Sequence, residues 1–212
     1  MKYLAPDEDF PPVESANSLG LLAFGGDLSP QRLITAYKRG IFPWYDSSQP
    51  ILWWSPNPRM VLFPEHLKIS KSMKQLLKKD IFEVTYNQDF ESVINACATV
   101  ERGEQEGTWI TPKMKKAYLE LHEMGLASSV EVWEEGKLVG GLYGIYMKDK
   151  KIFCGESMFT KVSNASKYGF IKFVQKLQQE GIKLIDCQVY TEHLASLGAE
   201  EIPREEFLKY LK

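Results

Sequence analysis

The sequence predicts an α+β protein in which a small N-terminal domain, residues 1–60, precedes a larger domain, residues 61–212, with a mostly antiparallel sheet. Three observations predict this organisation. The length of 212 residues suits one typical domain of about 150 residues plus a small second unit. A segment rich in tryptophan and proline, residues 41–64, interrupts the regular patterns. The last third of the chain then changes from helical to strand-like periodicity.

The N-terminal part is predicted to hold one short helix. Residues 1–28 have the prolines and glycines of a loop. Ser29 can cap the helix, Pro30 suits its first position, and Gly40 follows its end. The prolines of residues 41–64 argue against a long helix or a central strand in that segment.

Three helices and one strand are predicted in the middle of the chain, from apolar spacing and capping residues. In chain order these are a helix from Ser70, a strand over residues 81–86, a helix capped by Asn87 and ended by Gly103, and a helix from Thr111 to Gly125.

The last third is predicted to form an antiparallel three-strand meander, an amphipathic helix, a buried strand and a short helix. The elements cover residues 128–133, 137–147 and 151–159, a helix opened by Ser163 or Asn164 and closed before Gly181, residues 182–190, and a helix from Pro203. This order is similar to the layout of GNAT acyltransferases, a likeness of fold that does not give function.

The buried strand carries the most informative polar pair, Asp186 and Gln188. Side chains two residues apart share a face of a strand, so both are expected to point one way and Cys187 the other. Buried polar groups need partners, and two interpretations stay open. The pair is either a network that only stabilises the core, or a proton acceptor beside an amide that positions a substrate.

Glu156 is an acid among apolar residues, in the sequence FCGESMF. It follows Gly155, and a glycine in a strand often lets a ligand or another backbone approach closely. Glu156 is therefore expected either to form a buried ion pair with a lysine such as Lys167 or to lie at the end of a ligand cavity.

Aromatic and basic residues are candidate contacts for nucleic acid. Trp44, Trp53 and Trp54 either join the N-terminal domain to the rest or offer a stacking platform for a nucleobase, and Trp109 is a further candidate. Two lysine runs are either solvated faces or a phosphate-facing surface. They contain Lys68, Lys71, Lys74, Lys78 and Lys79, then Lys113, Lys115 and Lys116.

Composition excludes several classes of protein and site. With 44% hydrophobic and 25% charged residues the chain is neither disordered nor fibrous, and its net charge of −2 gives no global attraction to nucleic acid. Three isolated cysteines and three scattered histidines show no disulfide, redox or metal-ligand spacing, so no metal is expected. Without a signal-peptide pattern or an apolar run of about 20 residues, we expect a cytoplasmic protein with no membrane partner.

Nine motifs, in order from about residue 19 to about residue 208, resemble the leucyl/phenylalanyl-tRNA–protein transferase family. They are GLLAFGGDLSP, YKRGIFPWY, PILWWSPNPRMVLFP, GTWITP, SVEVWEEGKLVGGLYG, FCGESMF, NASK, LIDCQ and HLASLGAEEIPR. The stretch TKVSNASK lacks the glycines of a coenzyme A loop, which favours another acyl donor.

The resemblance implies an enzyme with a small N-terminal domain and a GNAT-like domain that uses no cofactor. It would take Leu or Phe from Leu-tRNA or Phe-tRNA and join it to the N-terminal Arg or Lys of an acceptor protein, which marks that protein for N-degron degradation. Asp186 and Gln188 match the family's central catalytic pair, and Glu156 matches its further acid. Trp44 and Trp109 match residues that contact the terminal adenosine of the tRNA.

The resemblance also implies an apolar pocket for the transferred side chain, formed by Leu142, Phe173, Leu177 and Ile185. Leu142 and Leu177 stand where close relatives can carry methionine and phenylalanine, which bears on the choice among Leu, Phe and Met. Two alternative functions stay open: a coenzyme-A-dependent GNAT acyltransferase and a non-catalytic tRNA-binding module.

Overall fold

The computed structural model describes residues 2–99 and 108–212. These residues form α-helices and two β-sheets. The α-helices are α1 (Pro30–Lys38), α2 (Lys71–Lys79), α3 (Phe90–Thr99), α4 (Pro112–Glu123), α5 (Ala165–Gln179), α6 (Glu192–Ser196) and α7 (Arg204–Lys209). The strands are β1 (Lys2–Leu4), β2 (Leu21–Gly25), β3 (Phe42–Pro43), β4 (Leu52–Trp54), β5 (Arg59–Leu62), β6 (Glu83–Tyr86), β7 (Ala127–Glu134), β8 (Lys137–Met147), β9 (Ile152–Thr160), β10 (Leu184–Gln188) and β11 (Glu200–Ile202).

The N-terminal part folds around a four-stranded sheet in the order β1-β2-β4-β3. The predicted helix is α1, and its cap is confirmed because the Ser29 hydroxyl accepts the N–H of Arg32. The loop prediction for residues 1–28 is wrong where β1 and β2 pair. β4 is an inner strand although prolines surround it, because Pro50 and Pro56 lie outside its three residues.

The main sheet has seven strands in the order β11-β5-β10-β9-β8-β7-β6, and β9 with β10 is its one parallel pair among the described strands. The predicted meander is β7, β8 and β9, and its antiparallel pairing is confirmed. The predicted α+β class with a mostly antiparallel sheet is therefore confirmed. The division between residues 60 and 61 stays a prediction, and it falls within β5.

Helices cover both faces of the main sheet. On one face α3 and α4 share a core with Ile145 and Cys154, and on the other α5 shares a core with Val130 and Phe153. In the described part of the chain, no helix combines the length and apolar character needed to cross a bilayer.

The predicted helix starts are confirmed at Ser70 and Thr111, whose hydroxyls accept backbone N–H groups of α2 and α4. The cap predicted at Asn87 is wrong. The side chain of Asp89 accepts the N–H of Ser92 in α3, whereas Asn87 accepts the N–H of Ser129 across the sheet. The predicted end of this helix at Gly103 lies outside the described residues.

The feature that positions the candidate site is the separation of β9 from β10. The two strands pair only over residues 152–154 and 184–186. β9 continues along β8 to Thr160, whereas β10 ends at Gln188, where its register against β5 shifts. A cavity opens at this point, and Gly155 is part of its wall.

Candidate active site

The cavity beside Gly155 has a volume of about 370 Å³, within the size range of small-ligand sites. Its wall is mostly apolar, and its polar side chains include Glu156 and Gln188. The apolar lining includes Leu142, Phe153, Met158, Phe170, Ile185 and Cys187. The cavity can therefore hold an apolar side chain next to a carboxylate and an amide.

Trp44 and Trp109 both line this cavity, so the structure brings together the two tryptophans that the resemblance assigns to the terminal adenosine. Trp44 is 38% exposed, and its ring meets that of Trp54 edge to face at a centroid distance of 5.7 Å. Trp53 differs, because it is fully buried and donates its indole N–H to the carbonyl of Gly25. Trp53 is thus a core residue, and Trp44 is available to a ligand.

Glu156 accepts three hydrogen bonds at the cavity wall. Oε1 accepts from the Tyr37 hydroxyl at 2.7 Å and from Gln188 Nε2 at 3.0 Å, and Oε2 accepts from the Tyr118 hydroxyl at 2.9 Å. Burial raises the pKa of Glu156 to about 7, although the tyrosine hydrogen bonds act to lower it. The ion pair with Lys167, one of the two alternatives for Glu156, does not occur, and in the described chain no lysine or arginine forms a salt bridge with this carboxylate.

Two tyrosines from distant parts of the chain hold this carboxylate. Tyr37 lies on α1 and Tyr118 on α4, and their hydroxyl oxygens also lie close together, although both O–H protons are used in donating to Glu156. Burial raises the pKa of both well above the usual value, so both hydroxyls stay protonated as donors. The sequence places both residues only on buried helix faces. The signal that could have identified them is that a buried tyrosine hydroxyl needs a partner.

Asp186 does not line the cavity but forms a buried ion pair with Arg59. Arg59 Nε and Nη2 each donate to a carboxylate oxygen at 2.7 Å, and both side chains are 1% exposed. The sequence analysis missed Arg59, which stands between prolines in β5 without any local pattern. The charge of Asp186 is therefore paired and shielded from solvent, and its assignment to the catalytic pair stays a prediction.

The expectation that Asp186 and Gln188 share one face of the strand stays a prediction, because the strand ends in a tight turn at Gln188. Gln188 has a φ of +67°, and the N–H of Val189 donates to the carbonyl of Cys187 at 2.8 Å. Gln188 is the central residue of this tight turn, and it lines the cavity. The carboxylate of Asp186 accepts the backbone N–H of Gln188 at 3.0 Å, which holds the turn in a conformation unfavourable for a residue with a side chain.

Two of the four residues that the resemblance assigns to the apolar pocket line the cavity, and the pocket's role stays a prediction. Leu142 and Ile185 line the cavity, whereas Phe173 and Leu177 lie outside its wall. Phe173 packs edge to face on Phe153, which lines the cavity in its place, at a centroid distance of 4.8 Å. Both α5 residues are buried behind the wall, because the helix presents Phe170 to the cavity instead.

Neither an activated thiol nor a metal-ligand cluster occurs at the cavity. Burial raises the pKa of the Cys187 thiol far above its usual range, so the thiolate that a nucleophile needs is not formed. Across residues 2–99 and 108–212, no group of His, Cys, Asp and Glu side chains is arranged to hold a metal ion.

The two lysine runs belong to helices on opposite faces of the sheet. Lys68 and the four lysines of α2 are exposed, and within the described chain none of them pairs with an acid. On α4, Lys115 donates to the side chain of Asn95 and Lys116 pairs with Glu120. The first run is therefore the stronger candidate for contacts with phosphate.

Comparisons with known proteins agree along the whole chain. A family model described as "Leucyl/phenylalanyl-tRNA protein transferase" matches residues 61–212, and a model described as its N-terminal domain matches residues 26–57. The chain is 66% identical to "Leucyl/phenylalanyl-tRNA--protein transferase" of Christiangramia forsetii over 100% of both chains. It is 58% identical to the protein of the same name of Flavobacterium johnsoniae, over 100% of this chain and 99% of the relative. Among solved structures, a GCN5-related N-acetyltransferase from Kribbella flavida has a TM-score of 0.38 at 12% identity, covering 81% of this chain and 60% of that chain.

Proposed function

We propose that this chain, which belongs to the leucyl/phenylalanyl-tRNA–protein transferase family, moves Leu or Phe from aminoacyl-tRNA to the N-terminal Arg or Lys of an acceptor protein. The acceptor then carries an N-terminal residue that marks it for degradation. The observation that carries the proposal is that one apolar cavity is bordered by Trp44, Trp109, Glu156 and Gln188. The two tryptophans can stack on an adenosine, Glu156 can bind a cation, and Gln188 can orient an amine.

The reaction is the aminolysis of an ester. The α-amino nitrogen of the acceptor attacks the carbonyl carbon of the aminoacyl ester, and the bond from that carbon to the ribose oxygen breaks. The proton lost by the amine ends on the ribose oxygen, so atoms and charge balance without ATP. With a reference pKa of about 7.7–8.0, roughly a tenth of the amine is already neutral at pH 7. Positioning can therefore supply most of the rate acceleration.

Gln188 is proposed to orient the amine. Its Nε2 donates to Glu156, which fixes the direction of the amide and leaves the carbonyl oxygen to accept from the nucleophile. The backbone N–H of Gln188 is held by Asp186, and Asp186 is held by Arg59. In this proposal Gln188 touches the reacting atoms, and Asp186 and Arg59 are positioning residues.

Glu156 is proposed to bind the positive charge of the acceptor. Its carboxylate has three hydrogen-bond donors and no cationic partner in the described chain. Burial disfavours the charged form of a carboxylate that has no cationic partner, and it raises the pKa of Glu156 to about 7. An ammonium or guanidinium group entering the cavity would supply the missing charge and favour ionisation. This supports an acceptor that begins with Arg or Lys.

The donor is proposed to place its side chain among the apolar residues of the cavity and its terminal adenosine against Trp44 and Trp109. An apolar pocket distinguishes side chains by only about 1–3 kcal/mol per methylene, so Leu, Phe and Met can share one site. The exposed lysines of α2 are proposed to contact the phosphates of the tRNA body.

A direct test measures transfer of radiolabelled phenylalanine from Phe-tRNA, without ATP, to one protein made with N-terminal Arg, Lys or Ala. We expect transfer to the Arg and Lys forms and none to the Ala form. Gln188→Ala should abolish transfer, whereas Gln178→Ala, at an exposed position of α5, should leave it unchanged. Equal labelling of all three acceptors would refute the proposed acceptor class. No transfer by the folded parent with either Leu or Phe would refute the reaction.

Two binding measurements, with acetyl-coenzyme A and with charged and uncharged tRNA, separate the alternative functions. A coenzyme-A-dependent enzyme would bind acetyl-coenzyme A, and a tRNA-binding module would bind charged and uncharged tRNA equally without turnover. We expect neither result, because the cavity provides an apolar site for the aminoacyl side chain and the segment before α5 has no glycine-rich loop.

A further inference from the structure

A second cavity, of about 470 Å³, lies between the C-terminal end of α5 and the adjoining ends of β6, β7 and β8. The packed rings of Phe153 and Phe173 separate it from the catalytic cavity, because Phe153 lines the first and Phe173 the second. None of the catalytic roles proposed above uses this second cavity.

Three side chains offer unused hydrogen-bond donors in the second cavity. The hydroxyls of Ser128 and Tyr86 have no hydrogen-bond partner in the described part of the chain, although Ser128 is only 9% exposed. Asn87 uses its carbonyl oxygen to accept the N–H of Ser129 at 2.9 Å, which leaves its amide nitrogen as a donor. These donors lie along one wall region and are free to bind the acceptor oxygens of a ligand.

The charge at the cavity is positive. Lys148, Lys151 and Lys176 line it against a single acid, Glu180, which gives a net charge of about +2 with all four groups ionised. Glu180 is already bonded to the Tyr146 hydroxyl and to Lys176. An anion entering the cavity would therefore meet an excess of cationic groups.

Two of these ammonium groups are held in place by the walls of the cavity. Nζ of Lys148 lies 5.2 Å from the ring centroid of Tyr146, and Nζ of Lys176 lies 5.3 Å from that of Tyr86. Cation–π contacts of this kind keep the charges beside the cavity instead of leaving them free in solvent. The site is thus preorganised for an anion and is more than a surface run of lysines.

We propose that the second cavity binds a small organic phosphate of up to nucleotide size. A phosphate monoester carries nearly two negative charges near neutral pH and three acceptor oxygens, which matches the charge and the unused donors. The volume is several times that of a bare phosphate ion, so an organic group can enter with it. The tyrosine rings and Phe173 provide apolar surface for that group.

The test uses uridine monophosphate, because it lacks the adenine that the proposed function places against Trp44 and Trp109. In a nitrogen-15 NMR titration we expect saturable shifts of the Asn87 side-chain amide and of the backbone amides of Ser128 and Ile182. Uridine, which lacks the phosphate, and inorganic phosphate, which lacks the organic group, should each bind at least about tenfold more weakly.

Variants locate the binding. Lys148→Gln combined with Lys151→Asn should raise the Kd for uridine monophosphate at least about fivefold. Lys151 has a φ of +57°, which asparagine tolerates, so the backbone turn is kept. The matched control is Lys209→Gln combined with Lys212→Gln, which removes the same charge outside this cavity and should change the Kd less than about twofold.

Three results would overturn the proposal. One is the absence of shifts at Asn87, Ser128 and Ile182 up to about 10 mM ligand, because a specific site would bind more tightly than that. Another is equal loss of binding in the control variant. The third is binding that disappears in Trp44→Ala, which would place the nucleotide in the catalytic cavity. A protein that transfers phenylalanine normally but fails this titration keeps the proposed function and loses the second site.

Discussion

The guanidinium of Arg59 binds the carboxylate of Asp186 through two hydrogen bonds of 2.7 Å, and both side chains are 1% exposed. The guanidinium also lies 4.8 Å from the ring centroid of Phe42 and 4.7 Å from that of Phe207, and it donates to the carbonyl of Gly40. This ion pair therefore joins the N-terminal segment, β10 and α7 at a place directly behind Gln188.

Breaking this ion pair should destabilise the protein strongly. Asp186→Asn leaves the Arg59 charge buried without a partner, and we expect the free energy of unfolding to fall by about 3–5 kcal/mol in urea titrations. Glu120→Gln is the matched control, since it removes an exposed partner of Lys116 and should cost less than about 1 kcal/mol.

The double variant Arg59→Leu with Asp186→Leu separates stability from positioning. Replacing both charges by apolar groups should recover much of the lost stability. Transfer should stay low, because the backbone N–H of Gln188 still lacks its acceptor. A double variant that is stable and transfers at the parent rate would show that Asp186 serves the core alone.

The raised pKa of Glu156 should make stability depend on pH. Its pKa is about 7 in the folded protein against 4.5 without the protein environment, so the folded state holds more protons between these values. The contribution is therefore fully present below about pH 4.5 and is lost as pH rises through about 7. Glu156→Gln does not titrate, and relative to it the parent should lose about 2–3 kcal/mol of unfolding free energy between about pH 5 and pH 8.

The matched control for this pH effect is Glu180→Gln. Hydrogen bonds and the charge of Lys176 lower the pKa of Glu180. Glu180→Gln should therefore change the free energy of unfolding at acidic pH, and its pH dependence from about pH 6 to pH 8 should match that of the parent. Parallel stability curves for the parent and Glu156→Gln would contradict the raised pKa.

Trp44 and Trp53 should respond oppositely to replacement by alanine. Trp44→Ala should weaken binding of a non-hydrolysable aminoacyl-adenosine analogue by about 1–3 kcal/mol, through lost stacking, with little change in stability. Trp53→Ala should lower the free energy of unfolding by about 3–5 kcal/mol, because the side chain is fully buried. Calorimetric binding and urea titrations measure the two effects. Unchanged affinity in Trp44→Ala would assign that residue to packing.

The lysines of α2 should make tRNA binding depend on salt. Each phosphate contact adds about 0.7–0.9 to the slope of log K against log salt concentration. Lys74→Gln with Lys78→Gln should reduce that slope by up to about 2, whereas Lys113→Gln with Lys116→Gln on α4 should leave it unchanged. Equal slopes for both pairs would mean that the α2 lysines are only solvated.

The sequence predicted the elements whose patterns are long and local. Alternating apolar residues identified β7 to β9, and the caps at Ser29, Ser70 and Thr111 identified three helix starts. It failed for β5, which lies in the proline-rich segment, and for β11, which has only three residues. These short strands pair with each other at the edge of the main sheet, and that pairing is set by contacts distant in sequence.

The candidate site shows the same limit. Glu156 was identified as an unusual acid, but its partners lie 119 and 38 residues away on buried helix faces. The orientation of Gln188 depends on one backbone dihedral angle, which strand alternation does not report. Phe173 and Leu177 were assigned to the pocket through a resemblance, whereas the rotation of α5 brings Phe170 to the cavity wall.

The bond from Tyr37 to Glu156 bears on how this protein can be divided or recombined. Tyr37 lies within the stretch matched by the N-terminal family model, and Tyr118 and Glu156 lie within the stretch matched by the other. Chimeras joined between the two stretches would assemble this trio from two parents, and a fragment beginning near residue 61 would leave one side of the carboxylate open. The N-terminal stretch therefore supplies part of the Glu156 environment, and we expect the two stretches to evolve as one unit.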